Sequence, residues 1–268
     1  MSKKCSLIIS TYNWPEALNL CLQSVLEQTV LPDEIIIADD GSKPETRDLI
    51  NYFISRSSIP IQHIWHEDRG FRLASIRNKS FARTTGDYII QIDGDIILHR
   101  DFVKDHLLFA RTGYLLQGSR VMLGQTYSQR LLSNSSVKIN IYNLDIKRRE
   151  NGFRLLPIAK YLINKYRNRY PVYFARGANM SFWKKDLLAV NGYDEMFEGW
   201  GHEDSDLTLR LMNNGIKKSV IKFAAIAYHI YHPERKSLEI ESKNKLILEQ
   251  TLLSKTTWTK VGLDQHLD

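Results

Sequence analysis

The feature that most constrains the fold is an alternation of short apolar runs with amphipathic segments over the first hundred residues. The apolar runs have the length of strands and are bounded by turn residues, whereas the segments between them repeat apolar residues at helical spacing. Strands that alternate with helices pack as a mostly parallel sheet with helices on both faces. The sequence therefore predicts an α/β fold, with strands at residues 6–10, 34–38, 61–65 and 88–92 and helices starting near Pro15 and covering 44–53 and 73–84.

Acidic side chains follow two of these predicted strands. Asp39 and Asp40 come directly after the second strand, and Asp93 and Asp95 come after the fourth. In open α/β sheets, ligands bind beyond the carboxyl ends of the strands. Carboxylates two residues apart offer hard oxygen ligands that suit Mn²⁺ or Mg²⁺ on a diphosphate. Solvated turn aspartates are the plainer alternative, and the spacing leaves both interpretations open.

A third acidic group begins a predicted helix in the second half of the chain. Glu203 and Asp204 precede leucines at alternating positions, and Trp200 lies just before them. A carboxylate beside an acceptor hydroxyl can act as a general base, and a tryptophan offers a flat apolar face to a sugar ring. Stabilisation of the helix dipole is the alternative interpretation.

Two histidines end a short apolar strand near the C-terminus. An imidazole from His229 or His232 would complete an octahedral metal site with an upstream Asp-x-Asp pair. A catalytic zinc site is disfavoured, because the sequence has no HExxH motif and no paired cysteine motif.

Arginines lie in or just before the third predicted helix. Arg72 and Arg77 have the chemistry to contact phosphate or ribose. Ordinary surface arginines are the alternative.

Composition narrows the partners and the compartment. The net charge of +7 and the pI near 9.2 favour an anionic partner without selecting one. Cys5 and Cys21 are predicted to be buried free thiols, which fits a reducing cytoplasm. No apolar run is long enough to span a bilayer. The segment 145–170 carries eight Lys or Arg residues against two acids, so a cytoplasmic protein with peripheral contact to an anionic membrane is one prediction and a solvated basic face is the other.

Taken together, these blocks resemble glycosyltransferase family two over nearly the whole chain. In the first half the resemblance lies in residues 9–13, 39–42 and 93–95. In the second half, residues 176–181, 191–194 and 199–206 resemble the acceptor region of galactosyltransferases and chondroitin-polymerase-like enzymes. His202 departs from the galactosyltransferase pattern, which often has glycine there, and this leaves the acceptor open.

The resemblance implies a GT-A fold with a Rossmann-like nucleotide-sugar half and an acceptor half. It implies an inverting enzyme that uses Mn²⁺ or Mg²⁺ to move a sugar from a UDP-sugar to a saccharide or glycolipid hydroxyl, in bacterial surface polysaccharide or glycolipid synthesis. No nucleic-acid partner is expected. Together with the arginine argument above, the nucleotide-sugar contacts would be Thr11, Tyr12, Asp39, Asp40, Arg72, Arg77 and Asp93.

By the same resemblance, Asp204 would be the general base with Glu203 beside it. The metal ligands would be Asp95, Asp93 and a histidine, with His229 as first choice and His232 as second. The acceptor contacts would be Trp200, Gly201, Arg176 and Asn179.

We predict one GT-A domain made of four parts. Residues 1–119 form the nucleotide-sugar half, 120–172 a basic inserted segment that is partly helical, 173–235 the acceptor and catalytic half, and 236–268 a helix with a loose end.

Two other functions compete with this prediction. A sugar nucleotidyltransferase shares the sheet and the acidic site, but it usually has a glycine-rich phosphate loop where residues 11–15 here have no glycine. A non-catalytic carbohydrate-, nucleotide- or RNA-binding module would leave the three acidic clusters without a purpose.

Overall fold

The computed structural model describes residues 3–166, 170–233 and 238–267. The strands are β1 (Cys5–Thr11), β2 (Glu34–Asp39), β3 (Ile61–Trp65), β4 (Tyr88–Asp93), β5 (Ile96–Leu98), β6 (Tyr114–Gln117), β7 (Arg120–Leu123), β8 (Ile146–Lys147), β9 (Asn179–Trp183), β10 (Lys217–Val220) and β11 (Ala227–His229). The helices are α1 (Pro15–Leu26), α2 (Pro44–Ile54), α3 (Leu73–Ala82), α4 (Phe102–Phe109), α5 (Gln125–Ser133), α6 (Leu156–Leu162), α7 (Lys184–Ala189), α8 (Glu203–Asn213) and α9 (Leu238–Ser254), with 3₁₀ turns at Arg149–Gly152 and Leu263–His266.

The central sheet has seven strands in the order β10-β6-β9-β4-β1-β2-β3, and only β9 runs antiparallel to its neighbours. Strands β1 and β2 are buried along their whole length, as expected for parallel strands covered on both faces. The register pairs Thr11 with Asp39 and Ser10 with Asp93. The acidic clusters after β2 and β4 therefore meet at one edge of the sheet, as predicted.

A smaller sheet with the order β5-β11-β7-β8 lies beside this edge. Strand β5 follows Asp95 directly, and its antiparallel partner β11 pairs His229 with Ile96. This pairing brings the histidines to the Asp-x-Asp turn, although they are more than a hundred residues away in sequence. Strand β7 pairs with β11 and with β8, so the segment predicted as an insertion contributes two strands to this sheet in addition to helices α5 and α6.

The C-terminal residues pack on the domain, so the prediction of a loose end after the last helix is wrong. Leu263 is buried beneath α3. Asn191 donates to the Asp264 carboxylate at 2.8 Å, and the Asp264 backbone N–H donates back to the Asn191 amide oxygen at 2.7 Å. His266 reaches Glu195 at 2.6 Å. A few specific contacts fix this polar tail, and composition does not reveal them.

Both cysteines are buried and free, as predicted. Within the described ranges, every helix is too short or too polar to cross a lipid bilayer.

Candidate active site

Asp95, His229 and His232 form a cluster with the composition of a metal site. One ligand atom from each lies within 4.8 Å of the others. Asp95 Oδ2 is 3.5 Å from His229 Nε2 and 3.1 Å from His232 Nε2. The other Asp95 oxygen, Oδ1, is buried and has no hydrogen-bond partner among the described residues. A carboxylate with an orphaned buried oxygen and two imidazoles is a donor set that fits Mn²⁺ and other divalent first-row metals.

The electrostatics of this cluster are dominated by attraction between the carboxylate and the rings. Burial alone would raise the pKa of Asp95, yet His229 and His232 bring it below its ordinary value. The bond to Asp95 raises the pKa of His232 to about 9, whereas burial lowers that of His229. Both histidines proposed from the sequence therefore face the same carboxylate, and the structure gives no reason to choose only one.

Asp93 lies outside this cluster, and its assignment as a metal ligand stays a prediction. Its carboxylate instead accepts a hydrogen bond from Arg77 Nη2 at 3.0 Å, and 31% of its side chain remains exposed. Burial raises the pKa of Asp93 to about 6, against the opposing effect of Arg77.

Arg77 lies in the interior, and its role as a direct nucleotide contact stays a prediction. Its side chain on α3 is only 1% exposed. The guanidinium donates to Asp93 at the end of β4 and, through Nη1, to Asp204 at the start of α8 at 2.9 Å. It also reaches Ser10 Oγ at 3.2 Å. Burial opposes the charge, but the acids around it hold the pKa of Arg77 above its ordinary value. This cation therefore joins the two halves of the site.

Three donors hold the Asp204 carboxylate at the start of α8. Oδ1 accepts from Arg77 and from the Tyr193 hydroxyl at 2.9 Å, and Oδ2 accepts from the Gly177 backbone N–H at 2.6 Å. A Cβ at residue 177 would lie 2.5 Å from Asp204 Oδ1, so this approach requires glycine. The Asp204 side chain is 15% exposed.

The neighbouring Glu203 differs sharply from Asp204. It is buried, and its Oε2 atom has no hydrogen-bond partner in the described part of the chain. Burial, and next the charge of Asp204, raise the pKa of Glu203 to about 8. Burial thus favours the neutral form of the Glu203 carboxyl group.

The acids assigned to the nucleoside are buried and bonded to histidines that the sequence argument missed. Asp39 lies 2.8 Å from His63, and Asp40 lies 2.6 Å from His66. Asp40 also accepts from the Arg72 backbone N–H at 3.0 Å. These contacts tie the end of β2 and the residue after it to β3 and the segment that follows. His63 lies in the middle of β3, and His66 follows that strand directly.

The remaining donor-side residues lie close by. Thr11 is buried at the end of β1, and Tyr12 is exposed with its hydroxyl donating to Asp68 at 2.9 Å. Arg72 Nη2 donates to the Glu67 backbone carbonyl at 2.5 Å.

The acceptor-side residues separate into exposed and buried groups. Trp200 is 42% exposed, and Gly201 and His202 have positive φ angles of 110° and 73° that turn the chain into α8. Arg176 is half-buried, with its guanidinium 5.3 Å from the Phe174 ring. Asn179 is fully buried, and its amide bonds His106 and the carbonyls of Ser119 and Ala225. Its amide is therefore bonded within the protein, and its assignment as an acceptor contact stays a prediction.

The sequence matches two known families in consecutive parts. Residues 6–172, more than half of the chain, match Glycosyl transferase family 2. Residues 159–233 match the N-terminal domain of galactosyltransferase.

Curated relatives are longer than this chain. The chondroitin synthase of Escherichia coli is 27% identical over 94% of this chain and 38% of its own length. The validoxylamine A glucosyltransferase of Streptomyces hygroscopicus subsp. limoneus is 27% identical over 80% of this chain and 49% of its own length. The chain thus spans less than half the length of either relative.

Solved structures share the fold at low identity. GalNAc-T7 with UDP, GalNAc and Mn²⁺ superposes with a TM-score of 0.68 at 15% identity, covering 93% of this chain and 48% of that one. A mannosyltransferase from Pyrobaculum calidifontis in complex with GDP-Man and Mn²⁺ gives a TM-score of 0.59 at 16% identity, covering 88% and 59%. These neighbours confirm the GT-A fold. The chain belongs to glycosyltransferase family 2.

Proposed function

We propose that the protein is an inverting, divalent-metal-dependent transferase that moves a sugar from a UDP-sugar to a saccharide or glycolipid hydroxyl. The observation that carries the proposal is the network in which Arg77 bonds both Asp93 and Asp204. A cation buried between these carboxylates supports a candidate base, Asp204, that lies close to the proposed donor site. The proposal treats the chain as one transferase domain, with the donor bound by residues 1–119 and the acceptor by 173–235.

The chemistry is a single displacement. Asp204 accepts the proton of the acceptor hydroxyl, whose oxygen forms a bond to the anomeric carbon as the bond from that carbon to the diphosphate oxygen breaks. UDP leaves on the opposite face, so the configuration inverts. Arg77 and the Tyr193 hydroxyl orient the Asp204 carboxylate, and Trp200 offers its exposed ring to the acceptor sugar.

The cation would be held by Asp95, His229 and His232, and Mn²⁺ or Mg²⁺ is proposed. When bound, it would neutralise the negative charge that develops on the diphosphate. The solved GT-A neighbours in complex with UDP or GDP-Man together with Mn²⁺ support this proposal.

The donor is proposed to lie at the carboxyl ends of the central strands. Thr11, Tyr12, Asp39, Asp40 and Arg72 would contact the nucleotide, and Asp93 the ribose. Their common position at one edge of the sheet supports this assignment.

Release of UDP tests the proposed function directly. We expect slow hydrolysis of at least one UDP-sugar from a panel when Mn²⁺ is present and no acceptor is added. A sugar nucleotidyltransferase would instead release pyrophosphate from UTP and a sugar phosphate. A binding module would release neither product, and either of those outcomes would reject the proposal.

Contact with an anionic membrane is a separate proposal for the basic segment. The short helix α6 buries Ala159 but exposes Ile158 and Tyr161, so it packs on the domain through one face only. Lys160 and Lys165 are exposed beside these residues, whereas Arg167 and Arg169 lie outside the described residues. Such a surface would hold the protein at the inner face of the membrane.

Liposome co-sedimentation at low salt tests this contact. Each basic residue near an anionic leaflet contributes about 1 kcal/mol. We therefore expect stronger binding to anionic than to neutral vesicles, and a severalfold loss for the double variant Lys160→Gln and Lys165→Gln. Equal binding to both vesicle types would mean that the segment is only a solvated basic face.

A further inference from the structure

A cleft of about 360 Å³ opens at the ends of β6 and β10. Its described lining includes four cationic side chains and a single acidic one, Glu150. Aromatic rings from the segment before β9 line the same cleft. The cations are Arg120, Arg148, Arg176 and Lys222, and the rings are Tyr166, Tyr170 and Phe174.

This cleft adjoins the candidate base. Arg176 immediately precedes Gly177, whose backbone N–H bonds Asp204. Arg120 is close enough for its charge to act on both carboxylates: it helps to lower the pKa of Asp95 and opposes the rise in the pKa of Asp93. A molecule bound in the cleft can therefore extend to the carboxylates where transfer is proposed.

The position of the cleft separates it from the nucleoside. Strands β10 and β6 are the outer two strands on one side of the central sheet. Strands β2 and β3, with Asp39 and the histidines that bond the acids, are the outer two strands on the other side. Strands β9, β4 and β1 lie between the two edges. A nucleotide at Asp39 and Asp40 therefore leaves the cleft to another substrate, and the acceptor is the substrate that Asp204 must reach.

The surroundings of two cationic side chains in the cleft favour binding of an anion. Lys222 is half-buried, with its ammonium bonded to the neutral amide of Asn151 and 5.6 Å from the Tyr166 ring. Arg176 lies 5.3 Å from the Phe174 ring, and its backbone N–H is fixed by Gln117 at 3.0 Å. Guanidinium and ammonium groups in a partly closed cleft bind carboxylate and phosphate oxygens strongly, and the rings give apolar faces to a sugar.

We propose that this cleft binds an acidic unit of the acceptor, a sugar that carries a carboxylate or a phosphate ester. The inference rests on the proposed function, because it names the class of acceptor that the transferase takes. Arg148 and Arg176 are the residues that select the charge.

Calorimetric binding in the presence of UDP and Mn²⁺ tests the inference with two matched probe pairs. One pair is cellobiouronic acid against cellobiose, and the other is glucose 1-phosphate against methyl α-glucoside. We expect the anionic member of at least one pair to bind about 10-fold or more tightly, the effect of one charge-assisted hydrogen bond. The pair that responds shows whether the anion is a carboxylate or a phosphate.

Variants test whether the preference for the anionic probe depends on residues of the cleft. The double variant Arg148→Gln and Arg176→Gln is expected to remove the preference, whereas Arg176→Lys keeps most of it because the charge remains. Lys147→Gln removes an exposed charge next to Arg148 but outside the cleft lining, so it serves as the matched control. Melting temperatures check that each variant is folded.

Several outcomes would overturn the inference. These are equal binding of both members in both pairs, no binding of any probe at millimolar concentration, and a preference that survives the double variant. If the double variant instead weakens UDP-glucuronic acid relative to UDP-glucose, the anion belongs to the donor and the acceptor assignment is wrong. Binding needs no turnover, so these results are independent of the UDP-release test of the proposed function.

Discussion

Replacing Asp204 by asparagine is expected to lower the rate of sugar transfer by about 10²- to 10⁴-fold, the usual contribution of a general base. The amide keeps the size of the side chain but cannot accept the acceptor proton. UDP binding should persist, because Thr11, Asp39 and Asp40 lie at the carboxyl ends of β1 and β2, whereas Asp204 lies on α8. Single-turnover transfer and UDP titration measure the two effects separately.

Glu203→Gln is the matched control for this experiment. Burial raises the pKa of Glu203 to about 8, so at pH 7 this side chain is mainly protonated and glutamine imitates it closely. We expect less than about a tenfold loss of transfer for this variant, well below the loss expected from a missing base. Comparable rates in wild type and Asp204→Asn would remove Asp204 from its proposed role, and a larger loss in Glu203→Gln would move the base to Glu203.

The asparagine variant must also be checked for a local structural effect. Asp204 Oδ2 accepts from the Gly177 N–H, and Oδ1 accepts from Arg77 and Tyr193. An amide has only one oxygen, so its NH₂ group faces a donor in either orientation. Retained UDP affinity and an unchanged melting temperature would show that the loss of rate is chemical.

The sequence predicted the parts of the fold that depend on local pattern. Apolar runs such as 34–38 become strands because their residues are buried on both faces of the sheet. Parallel strands then have their carboxyl ends at the same edge of the sheet. The position of Asp39 and Asp93 on either side of the end of β1 follows from the pattern of elements alone. The helix start at Glu203 was likewise visible from the leucines after it.

The surroundings of several candidate residues depend on long-range packing that a single sequence does not encode locally. Arg77 has the composition of a phosphate contact, yet α3 packs under β1 and turns its guanidinium inward to Asp93 and Asp204. Asn179 lies in a motif-like segment but on a central antiparallel strand, where its amide satisfies buried carbonyls. Tyr193 lies in the motif at residues 191–194, and the sequence predicts no role for it. Only the folded chain brings its hydroxyl to the Asp204 carboxylate.

Replacing Asp95 by alanine is expected to abolish transfer and to weaken Mn²⁺ binding by more than about 100-fold, since changes in the outer sphere alone cost about 10- to 100-fold. The variant removes the carboxylate that both histidines face, at 3.5 Å and 3.1 Å. Titration of Mn²⁺ followed by electron paramagnetic resonance measures binding without requiring turnover.

Asp48, an exposed acid outside the cluster, provides the control for the metal experiment. Asp48 lies on the exposed side of α2, so Asp48→Ala removes one negative charge without touching the cluster, and its Mn²⁺ affinity should equal that of the wild type. His229→Ala and His232→Ala should each weaken binding, because both imidazoles lie within reach of the same Asp95 oxygen. Full turnover of the wild type in excess EDTA would contradict the metal requirement. Wild-type Mn²⁺ affinity in Asp95→Ala would instead place the cation elsewhere, and the Asp95–histidine cluster would then be an ion pair that joins β11 to the turn before β5.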